Sequence, residues 1–207
     1  MITIYGGGGT RSIKAAWMAE EMGLDYEIVP VDFRAPTRPA PFLALSPAGY
    51  VPALVDGDVT LLESAAMLEY LGRRHGPTPL TPSPDAPSYP AYLQFLHFGE
   101  ASFGGLVSVA LASRFFAPKE HRDNWGATAA IDTAVRNSVV PANALKQSPY
   151  VAGEAFTAAD ISVSYALDLA QFLRFMDRLD PVLAEYHERL KARPALQRAR
   201  ARSAAPH

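Results

Sequence analysis

The chain has 207 residues, a formal net charge of −2 and no cysteine. The absence of cysteine excludes disulfides, thiolate metal sites and a cysteine nucleophile, and the absence of a positive net charge argues against binding to nucleic acid or an anionic membrane. The first apolar run, Met1–Tyr5, is too short for a signal peptide, and we find no stretch of about 18 apolar residues. These features predict a cytoplasmic globular protein that binds neither nucleic acid, membrane nor metal.

The first elements of the chain alternate between strand and helix. A β-branched strand over Met1–Tyr5 precedes a helix over Ser12–Met22, which Gly23 ends, and a second strand follows over Tyr26–Val31. A strand, a helix and a strand in this order predict a βαβ unit with parallel strands and a right-handed crossover.

A hairpin is predicted after a proline-broken stretch that follows this unit. Two short strands, Pro52–Val55 and Val59–Leu62, flank Asp56-Gly57-Asp58, in which the glycine can adopt a positive φ. An amphipathic helix over Ala65–Arg74 completes the predicted α/β domain, residues 1–76.

The second half of the chain is helical throughout. Residues 76–90 contain six prolines, so residues 77–90 are predicted to form a semi-rigid extended linker. A long or kinked helix is predicted over Ala91–Phe116, because glycines weaken its middle. Further helices are predicted over 119–146, 157–175, 179–192 and 194–202, so residues 91–207 form an all-helical domain. The arginine-rich C-terminus predicts a solvated last helix and a frayed tail.

The loop Gly6–Ser12, GGGGTRS, precedes the first helix. A helix N-terminus favours a bound negative charge. Neither the G-x-G-x-x-G pattern of dinucleotide sites nor the P-loop pattern is present, which argues against a nucleotide. The loop alone leaves two interpretations open: Thr10 or Ser12 caps the helix, or the helix end binds another anionic group.

Two further motifs resemble the signature of the glutathione transferase superfamily. The segment Ser46-Pro47-Ala48-Gly49-Tyr50-Val51-Pro52 is similar to the usual Asn-Pro-x-Gly-Lys-Val-Pro loop, and FTAADISVSYAL is similar to the C-terminal folding motif. The order of elements is also that of the superfamily, over nearly the whole chain. The resemblance implies an α/β plus all-α fold: a thioredoxin-like N-terminal domain with a mixed four-stranded sheet, followed by an all-helical domain.

The resemblance also implies a function. A glutathione transferase activates the thiol of glutathione, its co-substrate, as a thiolate that attacks a small hydrophobic electrophile, and such proteins are cytoplasmic homodimers that act in detoxification and need no metal. A glutathione-dependent isomerase, peroxidase or lyase on the same fold remains an alternative. So does a non-catalytic binding or regulatory protein.

Four residues match the family's glutathione-binding positions. Pro52 resembles the cis-proline of the family, whose conformation exposes the Val51 N–H and C=O to the extended cysteinyl portion of glutathione. Ser64 and Glu63 would bind the γ-glutamyl carboxylate and ammonium groups. Capping of the next helix is the structural alternative for this pair.

Tyr50 departs from the family pattern, which usually has lysine or glutamine at this position to bind the glycyl carboxylate of glutathione. A tyrosine hydroxyl can donate one hydrogen bond but carries no positive charge. Arg11 or Arg38 is therefore an alternative partner for that carboxylate, although Arg11 is equally consistent with a solvated surface charge.

Thr10 stands where related bacterial members carry a serine or cysteine that contacts the glutathione sulfur, and Ser12 is the second candidate for this catalytic role. A free thiol has a pKa near 8.5, and lowering it by about two units needs roughly 2.7 kcal/mol. A hydrogen bond to a charged group supplies about 1.5–3 kcal/mol and a helix end about 0.3–1. One hydroxyl is therefore sufficient without an added base.

The second substrate would bind the helical domain. Phe103, Val107, Leu111, Arg114 and Phe115 are candidates for its pocket, because they follow one another at helical spacing in the long helix. The same spacing is typical of a buried core face, and the sequence does not distinguish the two.

Overall fold

The computed structural model describes residues 1–32, 35, 37–122 and 124–204. Residues 205–207 of the predicted frayed tail and position 123 of the predicted helix over 119–146 lie outside these residues. The chain divides into two compact units. The first comprises Met1–Thr78 and the chain from Lys191 onward, and the second is Pro79–Leu190.

Within the described residues the chain forms four β-strands and ten α-helices. The strands are β1 (Ile2–Gly6), β2 (Tyr26–Pro30), β3 (Ala53–Asp56) and β4 (Val59–Leu61). The helices are α1 (Ser12–Met22), α2 (Ala40–Leu45), α3 (Ser64–Arg74), α4 (Tyr89–Phe98), α5 (Gly105–Phe116), α6 (Trp125–Asn137), α7 (Val139–Leu145), α8 (Ala158–Phe172), α9 (Pro181–Lys191) and α10 (Pro194–Ala204).

The first unit is built on one mixed four-stranded sheet with the order β2-β1-β3-β4. The parallel pairing of β1 with β2 confirms the predicted βαβ unit, and the antiparallel pairing of β3 with β4 confirms the hairpin. Gly57 occupies the hairpin turn with a φ of 60°. Ile4 and Leu54 of the sheet and Met18 and Leu68 of α1 and α3 are fully buried and form the core.

Helix α2 lies in the proline-broken stretch, where the sequence analysis predicts no helix. Pro39 is its N-cap residue and Pro41 lies in its first turn, positions at which a missing N–H costs nothing. The prolines therefore begin this short helix. Of its residues, only Phe42 is buried.

Asp56 is the centre of a polar cluster at the end of β3. Its Oδ2 accepts hydrogen bonds from the Tyr70 hydroxyl at 3.1 Å and from His75 Nε2 at 2.7 Å. Burial alone would raise the pKa of Asp56, but the hydrogen bonds from His75 and Tyr70 outweigh it and hold that pKa below its ordinary value. The folded state therefore favours the ionised carboxylate.

We expect Asp56→Asn to destabilise the protein by about 1–2 kcal/mol at pH 7, because the charge-assisted hydrogen bonds are lost. A carboxyl whose pKa is lowered on folding stabilises above its unfolded pKa of about 3.9, and this contribution fades as the pH falls through the lower folded value. Urea unfolding of the wild-type and Asp56→Asn proteins between pH 7 and pH 3 measures how their difference in stability changes with pH. A difference that stays constant down to pH 3 would contradict the assignment.

The second unit packs helices around α8, most of whose residues are buried. Helices α4 and α5 are joined by a π-helical segment, Gly99–Gly104, which confirms the predicted interruption of the long helix. By length and composition, Tyr89–Phe116 is apolar enough to cross a membrane, contrary to the expectation from the sequence. It packs against α6 and α8 within this unit, as the core helix of a globular domain does.

The N-terminus of α8 carries the predicted capping box. The Thr157 side chain and the Asp160 side chain each bond the backbone of the other residue. Asp160 is fully buried, and it also accepts hydrogen bonds from the Val151 N–H at 3.0 Å and the Tyr186 hydroxyl at 2.6 Å.

The C-terminal helix α10 departs from the sequence prediction. The sequence places it in the all-helical domain as a solvated element, whereas in the structure it belongs to the first unit and packs against α1. Ala195, Leu196 and Ala199 form its buried face. Its arginines pair with carboxylates of α1, a long-range complementarity that the arginine-rich composition does not reveal.

Candidate active site

Three loops of the first unit meet at one edge of its sheet. Tyr5, at the end of β1, pairs with Ala53, at the start of β3, so the glycine loop that follows β1 lies beside Pro52. Leu61, at the end of β4, pairs with Leu54, which brings the start of α3 to the same edge. The topology thus brings together candidate residues from three separate segments of the chain.

Thr10, Ser12 and Gly7 form a compact hydrogen-bonded group in the glycine loop. The Thr10 hydroxyl donates to the Gly7 carbonyl at 2.8 Å and lies 2.8 Å from Ser12 Oγ, which accepts from the Gly7 N–H at 3.0 Å. The Thr10 N–H also donates to the Gly7 carbonyl, at 3.1 Å. The two candidate hydroxyls are therefore in direct contact.

Burial distinguishes these two hydroxyl residues. Ser12, the first residue of α1, is 1% exposed, and Thr10 is 7% exposed. The N-cap residue is Arg11, which makes no side-chain capping bond. Ser12 therefore holds the loop through Gly7, and Thr10, which is also buried, is slightly the more exposed of the two.

Gly6 permits this close packing. A Cβ at Gly6 would lie 2.5 Å from Ser12 Cβ and 2.7 Å from Ser12 Oγ, closer than any side chain allows. A Cβ added at Gly9 would meet nothing within 4 Å, but the φ of Gly9 is 78°, so the requirement for glycine there is conformational. Glycine is thus required at these two positions for different physical reasons, close packing at Gly6 and backbone conformation at Gly9.

The Val51–Pro52 peptide bond is cis, which confirms the resemblance at this position. Pro52 is buried and Val51 is half-buried. Ser46, which the sequence analysis does not single out as a site residue, is fully buried, and its hydroxyl donates to the Tyr50 carbonyl at 2.9 Å. Its position in the loop motif was the available signal for this supporting role.

Glu63 and Ser64 occupy the start of α3. Ser64 is the first helical residue and is 2% exposed, whereas Glu63 is the N-cap residue and makes no side-chain capping bond. The sequence predicts Ser64 as the N-cap residue, whereas the N-cap residue in the structure is Glu63, one position earlier. Glu63 has a φ of 70°, which is rare for a residue with a side chain, and such strain is found most often at functional sites.

Arg38 lies against the loop that contains Tyr50, whose side chain is 76% exposed. Arg38 Nε donates to the Gly49 carbonyl at 3.3 Å, and its Cγ lies 3.2 Å from the position of a Cβ at Gly49. Arg11 is half-buried and lies between Thr10 and Ser12 in the sequence of the glycine loop. Both positive charges thus belong to segments that border the candidate site.

The five candidate pocket residues of the second unit differ in how deeply they are buried. Phe103 and Val107 are fully buried, so they belong to the core, which was the alternative that their spacing left open. Leu111 and Arg114 are half-buried, and Phe115 is 47% exposed. The Phe115 ring lies 5.2 Å from that of Phe172, and Arg114 donates to the Leu173 carbonyl at 3.3 Å.

Comparisons with known proteins decide the family. The model for the N-terminal domain of glutathione S-transferases matches residues 1–73, and a model for their C-terminal domain matches residues 134–201. Glutathione S-transferase 3 of Schizosaccharomyces pombe is 32% identical over 181 residues, which cover 83% of this chain and 75% of that relative. The chain belongs to the glutathione S-transferase family. Its mixed sheet and helical second unit accordingly form the glutathione S-transferase fold, with a thioredoxin-like first domain.

Two further similar proteins bear on the chemistry. The disulfide-bond oxidoreductase YfcG of Escherichia coli is 27% identical over 219 residues, covering 94% of this chain and 92% of that protein. A glutathione transferase family member from Pseudomonas fluorescens, crystallised with two glutathione molecules bound, has a TM-score of 0.83 and 27% identity, with 96% of this chain and 91% of that chain covered.

Proposed function

We propose that this chain is a glutathione transferase in which Thr10 stabilises the glutathione thiolate. The observation that carries the proposal is the contact of Thr10 with Ser12 and Gly7 at the N-terminus of α1, on the sheet edge that also holds Val51 and Ser64. Helix α1 supplies a positive dipole end at this point. The family relationship supports glutathione as the ligand.

Each part of glutathione has a chemically suitable partner. The backbone of Val51 pairs with the cysteinyl portion as a short added strand. The start of α3, with Ser64, binds the γ-glutamyl carboxylate, and the Glu63 carboxylate binds its ammonium group. Arg38 or Arg11 supplies the positive charge for the glycyl carboxylate that Tyr50 lacks, and the Tyr50 hydroxyl can add one hydrogen bond.

The hydrogen-bond pattern allows the Thr10 hydroxyl to turn toward a sulfur. If its proton leaves the Gly7 carbonyl, that carbonyl keeps the Thr10 N–H as a donor, so no buried acceptor is left without a partner. Ser12 can then donate its own proton to Thr10 Oγ1, which strengthens Thr10 as a donor. Together these donors favour the thiolate, which attacks an electrophile carbon while the leaving group departs with its electron pair.

The remaining features of the proposal follow from the family. The exposed aromatic surface at Phe115, with Leu111 and Arg114, is suited to a small hydrophobic electrophile. We place the enzyme in the cytoplasm as a homodimer that detoxifies such compounds.

A second candidate function is disulfide reduction, which the similarity to the Escherichia coli oxidoreductase favours. This chain has no cysteine, so every thiol of the reaction must come from the substrates. One glutathione thiolate attacks the disulfide and releases a thiolate, and a second glutathione resolves the mixed disulfide, giving oxidised glutathione and a second thiol. The Thr10 hydroxyl would stabilise the attacking sulfur in the same way.

Thr10→Val tests the role of the hydroxyl, since valine keeps the shape of threonine. We expect the pKa of the bound glutathione thiol to rise by about one to two units, because the hydrogen bond to the thiolate is lost. Ultraviolet titration of the bound thiolate and calorimetry of glutathione binding measure the two effects. Thr10→Ser, which keeps the hydroxyl, is the matched control and should retain a low pKa.

Three other results would change the assignment. An unshifted pKa in Thr10→Val would transfer the role to Ser12 or to backbone N–H groups. Turnover of a model disulfide without turnover of an aryl halide would favour the oxidoreductase function. The absence of glutathione binding by the wild-type protein at millimolar concentration would contradict both functions.

A further inference from the structure

Helix α1 ends in two adjacent carboxylates whose negative charges need positively charged partners. The side chains of Glu20 and Glu21 are only 8% and 12% exposed. They lie in the last turn of α1, where the negative end of the helix dipole disfavours them by about 0.3–1 kcal/mol each. Without partners, these two charges would weaken the helix that carries Thr10 and Ser12.

Three arginines of α10 and the segment before it provide that compensation. Arg193 forms a fork with Glu21, at 2.7 Å from Nε and 2.9 Å from Nη2. Arg198 Nε lies 2.6 Å from Glu20, and Arg202 Nε lies 3.2 Å from the same carboxylate. We refer to Arg193, Arg198 and Arg202 as the arginine clamp.

Two aromatic side chains of the first unit also bind these two carboxylates. The Trp17 indole N–H donates to Glu21 at 2.8 Å, and the Tyr26 hydroxyl donates to Glu20 at 3.0 Å. The Arg202 guanidinium also lies over the Tyr26 ring, 4.7 Å from its centroid. Burial alone would raise the pKa of Glu20, but the hydrogen bonds from Arg198 and Tyr26 and the charge of Arg202 outweigh it and lower that pKa.

The same helix reaches the other end of α1. The carbonyl oxygen of Ser203, in the last turn of α10, lies 3.5 Å from the position that a Cβ on Gly8 would occupy. Arg193 meets the C-terminal end of α1 and Ser203 lies beside the loop before its N-terminus, so α10 and the residue before it reach both ends of α1. The buried faces of both helices contain several alanines, which permit a close approach.

We propose that the arginine clamp positions the glycine loop for thiol activation. By holding α10 on Glu20 and Glu21, the clamp fixes α1 at one end and keeps Ser203 against Gly8 at the other. Arg193, Arg198 and Arg202 are thus positioning residues that act through α1 on Thr10. This proposal rests on the proposed function for its effect on glutathione, but its effect on the loop does not depend on any ligand.

The double variant Arg198→Ala/Arg202→Ala tests the clamp, because both side chains are more than half exposed and their loss leaves the Arg193 fork intact. We expect amide hydrogen exchange in residues 6–14 of the full chain to accelerate roughly tenfold. We also expect the affinity for glutathione to fall several-fold and the pH midpoint of thiolate formation to rise. Arg198→Lys/Arg202→Lys keeps the charges and should bring all three quantities most of the way back to their wild-type values. Gln197→Ala, an exposed position of α10, should change neither.

Hydrogen exchange distinguishes a failure of the clamp proposal from a failure of the proposed function. Faster exchange confined to residues 193–204, with residues 6–14 unchanged, would overturn the proposal, since α10 would then loosen without affecting the loop. Faster exchange in residues 6–14 would support the clamp even in a protein that bound no glutathione, a result that would contradict only the proposed function. Unchanged glutathione affinity and thiolate midpoint, in a wild-type protein that binds glutathione, would also overturn the proposal.

Discussion

Replacing Asp160 by asparagine is expected to lower the free energy of unfolding by about 3 kcal/mol. Each carboxylate oxygen of this buried residue accepts from a backbone N–H. Oδ1 accepts from Val151 at 3.0 Å, and Oδ2 accepts from Thr157 at 2.8 Å. Whichever way the asparagine amide is turned, its NH₂ faces one of these donors. A buried N–H is therefore left without an acceptor, whatever the protonation state of the original carboxyl.

Tyr186→Phe is the matched control for this prediction. It removes the hydroxyl that donates to Asp160 Oδ1 at 2.6 Å but leaves both backbone bonds in place. We expect it to cost about 1 kcal/mol, the usual value of one hydrogen bond. Urea unfolding followed by circular dichroism measures both variants. If Asp160→Asn costs no more than Tyr186→Phe, the backbone donors are not the source of the stability.

Local signals in the sequence were sufficient where the physical cause is itself local. The hairpin at Gly57 follows from turn chemistry, and the capping box at Thr157 and Asp160 follows from the spacing of the two side chains. The cis conformation of the Val51–Pro52 bond was predictable from the resemblance of this segment to a family motif. These features involve residues that are neighbours in the chain, so a single sequence contains the information.

Features that depend on distant partners were not accessible in the same way. The arginines of α10 have the pattern of a solvated helix, and only the fold shows that Glu20 and Glu21 lie opposite them. Phe103 and Val107 have the spacing of either a pocket or a core, and burial alone decides for the core. At the candidate site the sequence selected Thr10 and Ser12 together. Their contacts with each other and with Gly7, which make them one hydrogen-bonded group, required the structure.

Gly99 is the first residue of the π-helical segment that follows α4, at the point where this stretch packs against α8. In the interior of a helix, replacing glycine by alanine ordinarily stabilises by about 0.5–1 kcal/mol. Here a Cβ would lie 2.4 Å from Ser162 Oγ, 2.5 Å from the Ser162 carbonyl carbon and 2.7 Å from its oxygen. The Ser162 hydroxyl also donates to the Leu96 carbonyl at 2.8 Å, which ties α8 to α4. The two segments are therefore in backbone contact with no room for a methyl group.

We expect Gly99→Ala to destabilise the protein by about 2–3 kcal/mol, because the helices must separate to admit the Cβ. Gly126→Ala is the matched control, since Gly126 also lies in a helix and its Cβ would meet only the Asn124 side chain, at 3.2 Å. That change should cost no more than about 1 kcal/mol, because the group that must shift is the Asn124 side chain, whose Oδ1 caps α6 by accepting from the Ala127 N–H. Adding Ser162→Ala to Gly99→Ala should give no rescue, because the carbonyl group of residue 162 remains in place. Full rescue in thermal unfolding would instead identify the Ser162 hydroxyl, and not the backbone, as the group that requires glycine at position 99.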